Sequence, residues 1–444
     1  MKLKQAMFAI AMVFTATRAF ANPDVLVGGE VDPWNKKDGF DFHGYFRETA
    51  GFNSKGGGQA CFALPGTDFK QRFGNECDHY FEFALAEQQT VGSVTWRWEI
   101  MPALYQETIT GVATGNAGNG NLYVQQNWGS LTFHDWGDIA LWAGTRYFYR
   151  ENINDYDWFF WNPFQGNDAV GIDKINFGAG YLAFTVGRVD SSNFLGGSPF
   201  GTYLRAEGRA WGIPVNPNGS IELGLQADIP VDHNPTPGTV QPSLDTGFMV
   251  TVKHNQDKFL GGGNNLLFQF GNASAISNGT TGPTTSWKEW RIIENLTYAF
   301  LPNVTGGLAA VYQNKSFGTN NAVGADGASV FSVDVLPAYH FSDQFKFAID
   351  ANYQTVSWKD APSAAGTPYL LKLSFMPTFT LGARDHYTRP ELRFFVTYAS
   401  WNTAANNAMA AGIAGRGDQF SLGQGAFGTD TNGLSFGGQY EIWF

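Results

Sequence analysis

Charged residues and long apolar runs are both scarce in this chain. Asp, Glu, Lys and Arg make up 15% of its 444 residues, against about a quarter in ordinary soluble domains. After residue 21 no apolar run approaches the ~20 residues that a membrane-spanning helix needs, and the mean hydropathy is −0.21. The first shortage is unusual for a soluble protein, and the second excludes a helical membrane protein.

Basic residues and histidines are also few. Beyond residue 21 the chain has 25 basic against 39 acidic residues, a formal charge of −14, which disfavours nucleic acid as a partner. The seven histidines are scattered with no two at ligand spacing, so we expect neither a metal site nor a cofactor. A Gly-x-Ser-x-Gly elbow and a phosphate-binding loop are both missing from the sequence, and we predict that the protein is not an enzyme.

The chain has two cysteines, and its first residues indicate export. Lys2 and Lys4 precede an apolar stretch and the small-x-small site at residues 19–21, so residues 1–21 are predicted to be a signal peptide. An oxidising compartment leaves few thiols free, and Cys61 and Cys77 do not form a Cys-x-x-Cys motif. A disulfide between them is therefore expected.

Aromatic residues and glycine are abundant, and they follow a period of two. Aromatics make up 16% of the chain and glycines number 54. In residues 432–444 the apolar side chains share one parity and end on Phe444, while Glu441 and Trp443 share the other. The alternation recurs at residues 40–47, 80–85, 94–100, 221–228, 345–352 and 391–398. Each such segment predicts a strand with one polar and one apolar face.

This pattern predicts an all-β, transmembrane antiparallel barrel in the bacterial outer membrane, in contact with its lipid. Residues 22–39 are interpreted as a short periplasmic leader and residues 40–444 as the barrel. A strand with its connection takes roughly 23–26 residues, so about 405 residues predict roughly 16–18 strands. No helix-period segment of convincing length is present, and turn-rich stretches lie at residues 111–121, 191–201, 234–243, 261–265, 318–327 and 402–433. A soluble β-sandwich of this length would be expected to split into domains, and no linker is visible.

Several motifs go beyond composition. Residues 41–52 read DFHGYFRETAGF, residues 72–83 read RFGNECDHYFEF, and residues 142–161 read WAGTRYFYRENINDYDWFFW. With TRPELRFFVTYASW at 388–401 and the closing GQYEIWF, they resemble the maltoporin family of sugar-specific porins. The resemblance implies about 18 strands, a homotrimer, a third loop folded into the pore as a constriction, and passive diffusion of oligosaccharides.

In that family, lumenal aromatic side chains form a slide for sugar rings. The positions that match the slide are Tyr45, Tyr80, Tyr387 and Trp443, although the family usually has Trp at Tyr387. Strand parity assigns all four to the polar, lumenal face. Aromatic rings exposed on a water-facing wall could bind a ligand by stacking. Alternatively, these rings fill space beneath a loop that folds into the barrel.

A polar track faces the slide in the family, and five residues match it: Arg47, Arg72, Glu82, Arg150 and Asp157. The planar fork of Arg suits adjacent sugar hydroxyls, but these charges could instead pair across the pore and set ion selectivity. At the constriction, Phe159 stands where maltoporins have Tyr, and Asn152 replaces an acidic residue. One further slide aromatic of the family falls at Gly261–Gly263 in this sequence, where no aromatic residue is present. Residues 102–121 contain no Trp to match the loop aromatic that a neighbouring subunit contributes in the family. The slide is therefore predicted to be shortened, which weakens the case for maltodextrins in particular.

Three other functions fit parts of the sequence. A general diffusion porin would use the wall charges without an aromatic platform. A surface adhesin or phage receptor would have a plugged pore. A barrel phospholipase or protease would need a Ser–His pair in the lumen or on the rim, which nothing in the sequence favours.

Overall fold

The structure is a computed structural model, and it describes residues 37–107, 121–162, 166–190, 202–231, 246–277, 287–317, 325–360, 366–411, 422–423 and 425–444. The predicted signal peptide and most of the predicted leader lie outside these residues. No helix among the described residues is long and apolar enough to cross a membrane.

Eighteen antiparallel strands form one sheet. The strands are β1 (Gly39–Asn53), β2 (Asp78–Val91), β3 (Val94–Glu107), β4 (Asn121–Phe133), β5 (Ile139–Arg146), β8 (Gly166–Asn176), β9 (Tyr181–Asp190), β10 (Thr202–Asn216), β11 (Gly219–Val231), β12 (Gly247–Phe259), β13 (Gly262–Asn272), β14 (Lys288–Leu301), β15 (Val304–Ser316), β16 (Gly327–His340), β17 (Phe345–Lys359), β18 (Tyr369–Thr380), β19 (Glu391–Trp401) and β20 (Asn432–Trp443). Because β1 pairs with both β2 and β20, the sheet closes into a barrel.

A second, two-stranded sheet joins β6 (Glu151–Ile153) to β7 (Trp158–Trp161) within the connection that follows β5. In the described part of the chain, 3-10 turns lie at His134–Trp136 and Asn154–Tyr156. The helices α1 (Ser274–Ser277) and α2 (Thr403–Ala410) complete the described elements.

The predicted alternation is present in the strands. On β19, Phe394 and Val396 are 48% and 46% exposed, whereas Arg393 and Thr397 are buried. A barrel places one face of every strand outward and the other in the lumen. The apolar parity therefore forms the outer, lipid-facing band, and the polar parity lines the interior. This arrangement confirms the predicted all-β transmembrane barrel and the count of about 18 strands.

Short turns gather at one end of the barrel. The link between β12 and β13 consists of Leu260 and Gly261, both with a left-handed backbone (φ 50° and 80°). A Cβ at Gly261 would come within 2.5 Å of the carbonyl oxygen of Ala299, so glycine is required there. The turn-rich stretch predicted at residues 261–265 is wrong in extent, because β13 begins at Gly262 and pairs through Asn264 and Asn265.

The connection between β1 and β2, residues 54–77, lies inside the barrel. Cys61 and Cys77 form the expected disulfide within it. Its backbone is held by wall residues: Ser374 Oγ donates to the carbonyl oxygen of Phe73 at 2.8 Å, and Thr397 Oγ1 donates to that of Gly74 at 2.8 Å. We name residues 54–77 the first inner segment.

The connection between β5 and β8, of which residues 147–162 are described, also contacts the inner wall. Arg291 Nη2 donates to the carbonyl oxygen of Phe160 at 2.6 Å, and Tyr156 Oη donates to that of Ala309 at 3.0 Å. We name residues 147–162 the third inner segment, because they belong to the third long connection along the chain. Its 3-10 turn meets the first inner segment, since the amide of Arg72 donates to the carbonyl oxygen of Asp155 at 2.8 Å.

One helix stands where the sequence indicated turns alone. Helix α2 occupies residues 403–410 in the stretch 402–433, and the side chain of Asn402 caps it by accepting from the amide of Ala405. Asn is among the best N-cap residues. Eight residues are too few for periodicity to identify a helix on its own.

Candidate functional site

Three of the predicted slide aromatics form one row in the lumen. Tyr45 of β1 lies opposite Trp443 of β20, and Tyr80 of β2 lies opposite Arg47 of β1. The ring centroids of Tyr80 and Tyr45 are 5.9 Å apart, and those of Tyr45 and Trp443 are 6.3 Å apart with planes 25° from parallel. All three rings are partly exposed. They therefore present a continuous aromatic strip across three neighbouring strands.

Hydrogen bonds hold the two tyrosines of this row in place. Tyr45 Oη donates to Glu441 Oε1 at 2.7 Å and accepts from Arg72 Nη2 at 2.9 Å. Tyr80 Oη donates to Glu82 Oε2 at 2.5 Å and accepts from Gln125 at 3.2 Å. Because the hydroxyls already bond neighbouring protein side chains, the ring surfaces are the parts left to meet a ligand.

The indole of Trp443 carries a cation over its ring. The guanidinium carbon of Arg389 is 4.5 Å from the ring centroid, and Arg389 Nε donates to Glu441 Oε2 at 2.7 Å. Such a cation–π contact fixes the indole and covers part of its surface. Sequence reasoning missed Arg389, although it lies within the matched 388–401 motif.

Tyr387 is placed differently from the other three. Its predicted strand parity is wrong, because the β18–β19 pairing ends at Thr380 and Glu391, and Tyr387 lies in the intervening turn. Its ring packs edge-on against His386, with centroids 4.7 Å apart. Burial raises the pKa of its phenol. Tyr387 thus reaches the interior from a turn at the short-turn end of the barrel.

His386 joins this turn to the third inner segment. Its Nε2 lies 3.0 Å from Asp155 Oδ1, and both side chains are buried. The turn therefore contacts the 3-10 turn of the third inner segment, a tie that no sequence pattern had signalled.

Arg47 and Arg72 of the predicted polar track are buried in ion pairs. Arg47 Nη2 is 2.5 Å from Asp78 Oδ1, and Arg72 Nη2 is 2.6 Å from Glu441 Oε1. Both also bond Glu76, at 2.8 Å and 2.6 Å. Burial alone would raise the pKa of Glu76, but the two guanidinium groups hold it below its usual range.

Glu82 and Arg150 are more open to the lumen. Glu82 Oε2 accepts from Tyr80 and, at 3.3 Å, from the hydroxyl of Tyr147. The guanidinium carbon of Arg150 lies 3.5 Å from the ring centroid of Tyr147 and 4.2 Å from that of Phe159. Phe159 therefore holds Arg150 by cation–π attraction. This role was not evident from the replacement of the family's Tyr by Phe.

Asp157 and Asn152 occupy the same segment. Asp157 has a left-handed backbone (φ 48°), is partly exposed, and has its Oδ2 3.5 Å from Lys70 Nζ. Asn152 is buried and lies opposite Phe159 in the β6–β7 register. The missed hub of the site is Glu441, which bonds Tyr45, Arg72, Arg389 and Arg393. Its position beside Trp443 on the polar parity of β20 was the available signal.

Among the residues that the structure describes, no cluster of three or more His, Cys, Asp or Glu side chains could hold a metal ion. The site thus consists of aromatic faces beside buried ion pairs. Such an arrangement can stack a ring and donate hydrogen bonds.

Comparison with known proteins gives one family. A family model described as LamB porin matches residues 40–444. Among solved structures, Salmonella typhi OmpF in complex with daunomycin is similar at 11% identity, covering 91% of this chain and 97% of that one, with a TM-score of 0.46. A loop L8 deletion mutant of OmpT, an outer-membrane protein of Vibrio cholerae, is similar at 10% identity, covering 91% and 99%, with a TM-score of 0.39.

Proposed function

The chain belongs to the LamB porin family, and from that premise we propose that it is a sugar-selective channel for passive, facilitated diffusion of oligosaccharides. Membership of the family makes the protein an outer-membrane channel. The observation that supports selectivity for sugars is the continuous row of Tyr80, Tyr45 and Trp443. A general porin does not need such a row.

The physical basis of the proposal is stacking on the partly exposed rings. Sugar rings have apolar faces that suit an aromatic surface, and their hydroxyls suit charged hydrogen-bond groups beside it. Glu82 supplies such a group next to Tyr80. Arg150 lies over the ring of Tyr147, whose hydroxyl also bonds Glu82, and Asp157 lies on the same inner segment as Arg150. Tyr387, at the short-turn end, would extend the path towards the exit. Preferred solutes are maltodextrin-like or other glycosides that stack without needing the hydroxyl that Phe159 lacks.

The third inner segment is proposed to narrow the channel. Its contacts with Arg291 and with Ala309, on β14 and β15, support this role, because they require the segment to cross the interior from β5. Phe159 and Asn152 would then belong to the throat.

A homotrimer is proposed as the assembly. On the outer face of β1 and β2, Glu48 Oε1 lies 2.5 Å from His79 Nδ1, and the Glu48 side chain is 50% exposed. Charges facing lipid destabilise a barrel when they lie deep in the bilayer. Contact with a second copy of the chain would shield this pair from lipid.

The alternative is a general diffusion porin. The observation that favours it is the burial of Arg47 and Arg72 in ion pairs, which leaves them few free donors for sugars.

Planar-bilayer conductance separates the two functions. We expect neutral linear oligosaccharides to block the ion current in a saturable, length-dependent way. A current that no oligosaccharide blocks, at any length tested, would leave the general porin as the function.

A further inference from the structure

Four ion pairs in the barrel share one orientation. They join Asp41 to Arg97, Asp68 to Lys315, Glu151 to Lys253, and Asp157 to Lys70. In every pair the carboxylate is the more exposed partner: the acidic side chains are 13–21% exposed and the basic ones 1–8%. We name Asp41, Asp68, Glu151 and Asp157 the lumenal carboxylates.

Three of the four basic side chains also contact a second carboxylate. Lys70 Nζ is 3.1 Å from Asp78, Lys253 Nζ is 3.3 Å from Glu222, and Arg97 Nη2 is 2.7 Å from Glu99. These second carboxylates are buried. Each of these three cations is therefore shared between a lumenal carboxylate and a buried one, which fixes its position.

This orientation matters because a solute responds most to the nearest charge. The Coulomb energy falls with distance, so an ion beside the wall interacts more strongly with the carboxylate than with the cation behind it. Low-dielectric walls lined by one sign of charge concentrate ions of the opposite sign. Arg150 adds one partly exposed cation, and Glu82 adds a further partly exposed carboxylate.

We infer that the lumenal carboxylates make this channel prefer cations over anions and reject anionic glycosides in favour of neutral or amino-bearing ones. The inference rests on the proposed channel function and adds the charge class of its solutes. It assigns the selection to water-facing acids whose basic partners are buried, and not to the total charge of the chain.

The first test is the reversal potential in a gradient of potassium chloride, with no sugar present. We expect a several-fold preference for potassium over chloride. The double variant Asp41→Asn and Asp157→Asn should lose most of it. The left-handed backbone at Asp157 suits Asn, so Asp157→Asn alone should fold normally and give a partial loss.

The matched control is Glu294→Gln. Glu294 lies on the outward parity of β14, opposite the outward-facing Leu266. The control removes one negative charge without altering the lumen, and its ion preference should equal that of the wild type. A wild-type channel without cation preference, or a double variant with unchanged preference, would overturn the inference.

The second test compares block by a neutral oligosaccharide and by the same backbone carrying carboxylates. We expect the anionic sugar to block several-fold more weakly, and the difference to narrow in the double variant. Equal block of the wild type by the two sugars would contradict the inference and leave the proposed function intact. Ion preference without block by any sugar would contradict the proposed function instead.

Discussion

At the scale of single residues, Trp443 is the most informative side chain. Replacing it by Ala removes an aromatic face at the end of the row while leaving every charge in place. We expect sugar block to weaken on the order of fivefold, because an aromatic contact contributes about 1 kcal/mol, with a smaller change in open conductance. The measurement is the current-block titration.

The matched control for Trp443→Ala is Trp136→Ala. Trp136 is 59% exposed in the turn between β4 and β5, away from the row. Its loss should leave sugar block unchanged. Equal sugar affinity in wild type and Trp443→Ala would end the role of Trp443.

Phe159 offers a gain-of-contact variant. Phe159→Tyr restores the hydroxyl found in the family and keeps the ring over Arg150, so we expect stronger or altered sugar block. Phe159→Leu removes the ring and the cation–π contact, and should change both block and open conductance. If neither variant alters block by any sugar, Phe159 does not line the path.

At the scale of elements, the tie between His386 and Asp155 joins a turn to the third inner segment. A buried hydrogen bond of this kind contributes about 1 kcal/mol, and His386→Ala removes it. We expect larger open-channel current noise, because the inner segment loses one of its anchors. The measurement is the noise spectrum in a planar bilayer.

The control lies in the same turn. Arg384 forms an exposed ion pair with Asp343, and exposed pairs stabilise little. Arg384→Ala should leave the noise at the wild-type level. A His386→Ala channel as quiet as this control would contradict the anchoring role.

Elements with a strict period of two were predictable from the sequence. The parity of β1, β2 and β20 is sufficient to assign Tyr45, Tyr80 and Trp443 to the lumenal face. Strand parity gave the wrong placement for Tyr387, because side chains alternate between the two faces only within a strand. Tyr387 lies in the ten-residue turn before β19. Helix α2 was missed for a related reason: an eight-residue helix stabilised by a cap leaves little periodicity to read.

At the scale of the whole molecule, the fold was more predictable than the site. Barrel closure follows from strand number and alternation, which are repeated many times along the chain. The burial of Arg47 and Arg72 depends on Glu76 and Asp78, where the first inner segment meets β2, and on Glu441 of β20. The folded first inner segment brings these residues together. The match to the family's polar track therefore overstated how free Arg47 and Arg72 are to bind a sugar.

The ion preference of the whole channel should depend on pH. Carboxylates lose their charge as pH falls, so cation preference should weaken between about pH 7 and pH 4. Burial raises the pKa of Glu151, whereas the pKa of Asp68, despite its desolvation, is lowered by the neighbouring Lys315, so Glu151 should protonate before Asp68. Glu151→Gln should therefore shift the onset of the change to lower pH. A potassium-to-chloride permeability ratio that stays constant over this range would contradict the role of the carboxylates.

A sugar that crosses the channel should move along the row of Tyr80, Tyr45 and Trp443. The most direct measurement is a crystal structure of the protein with a linear oligosaccharide that blocks its current. We expect sugar rings stacked on the exposed faces of these three side chains, with hydroxyls bonded to Glu82, Arg150 or Asp157. A blocking sugar bound elsewhere, with the aromatic row left uncovered, would contradict it.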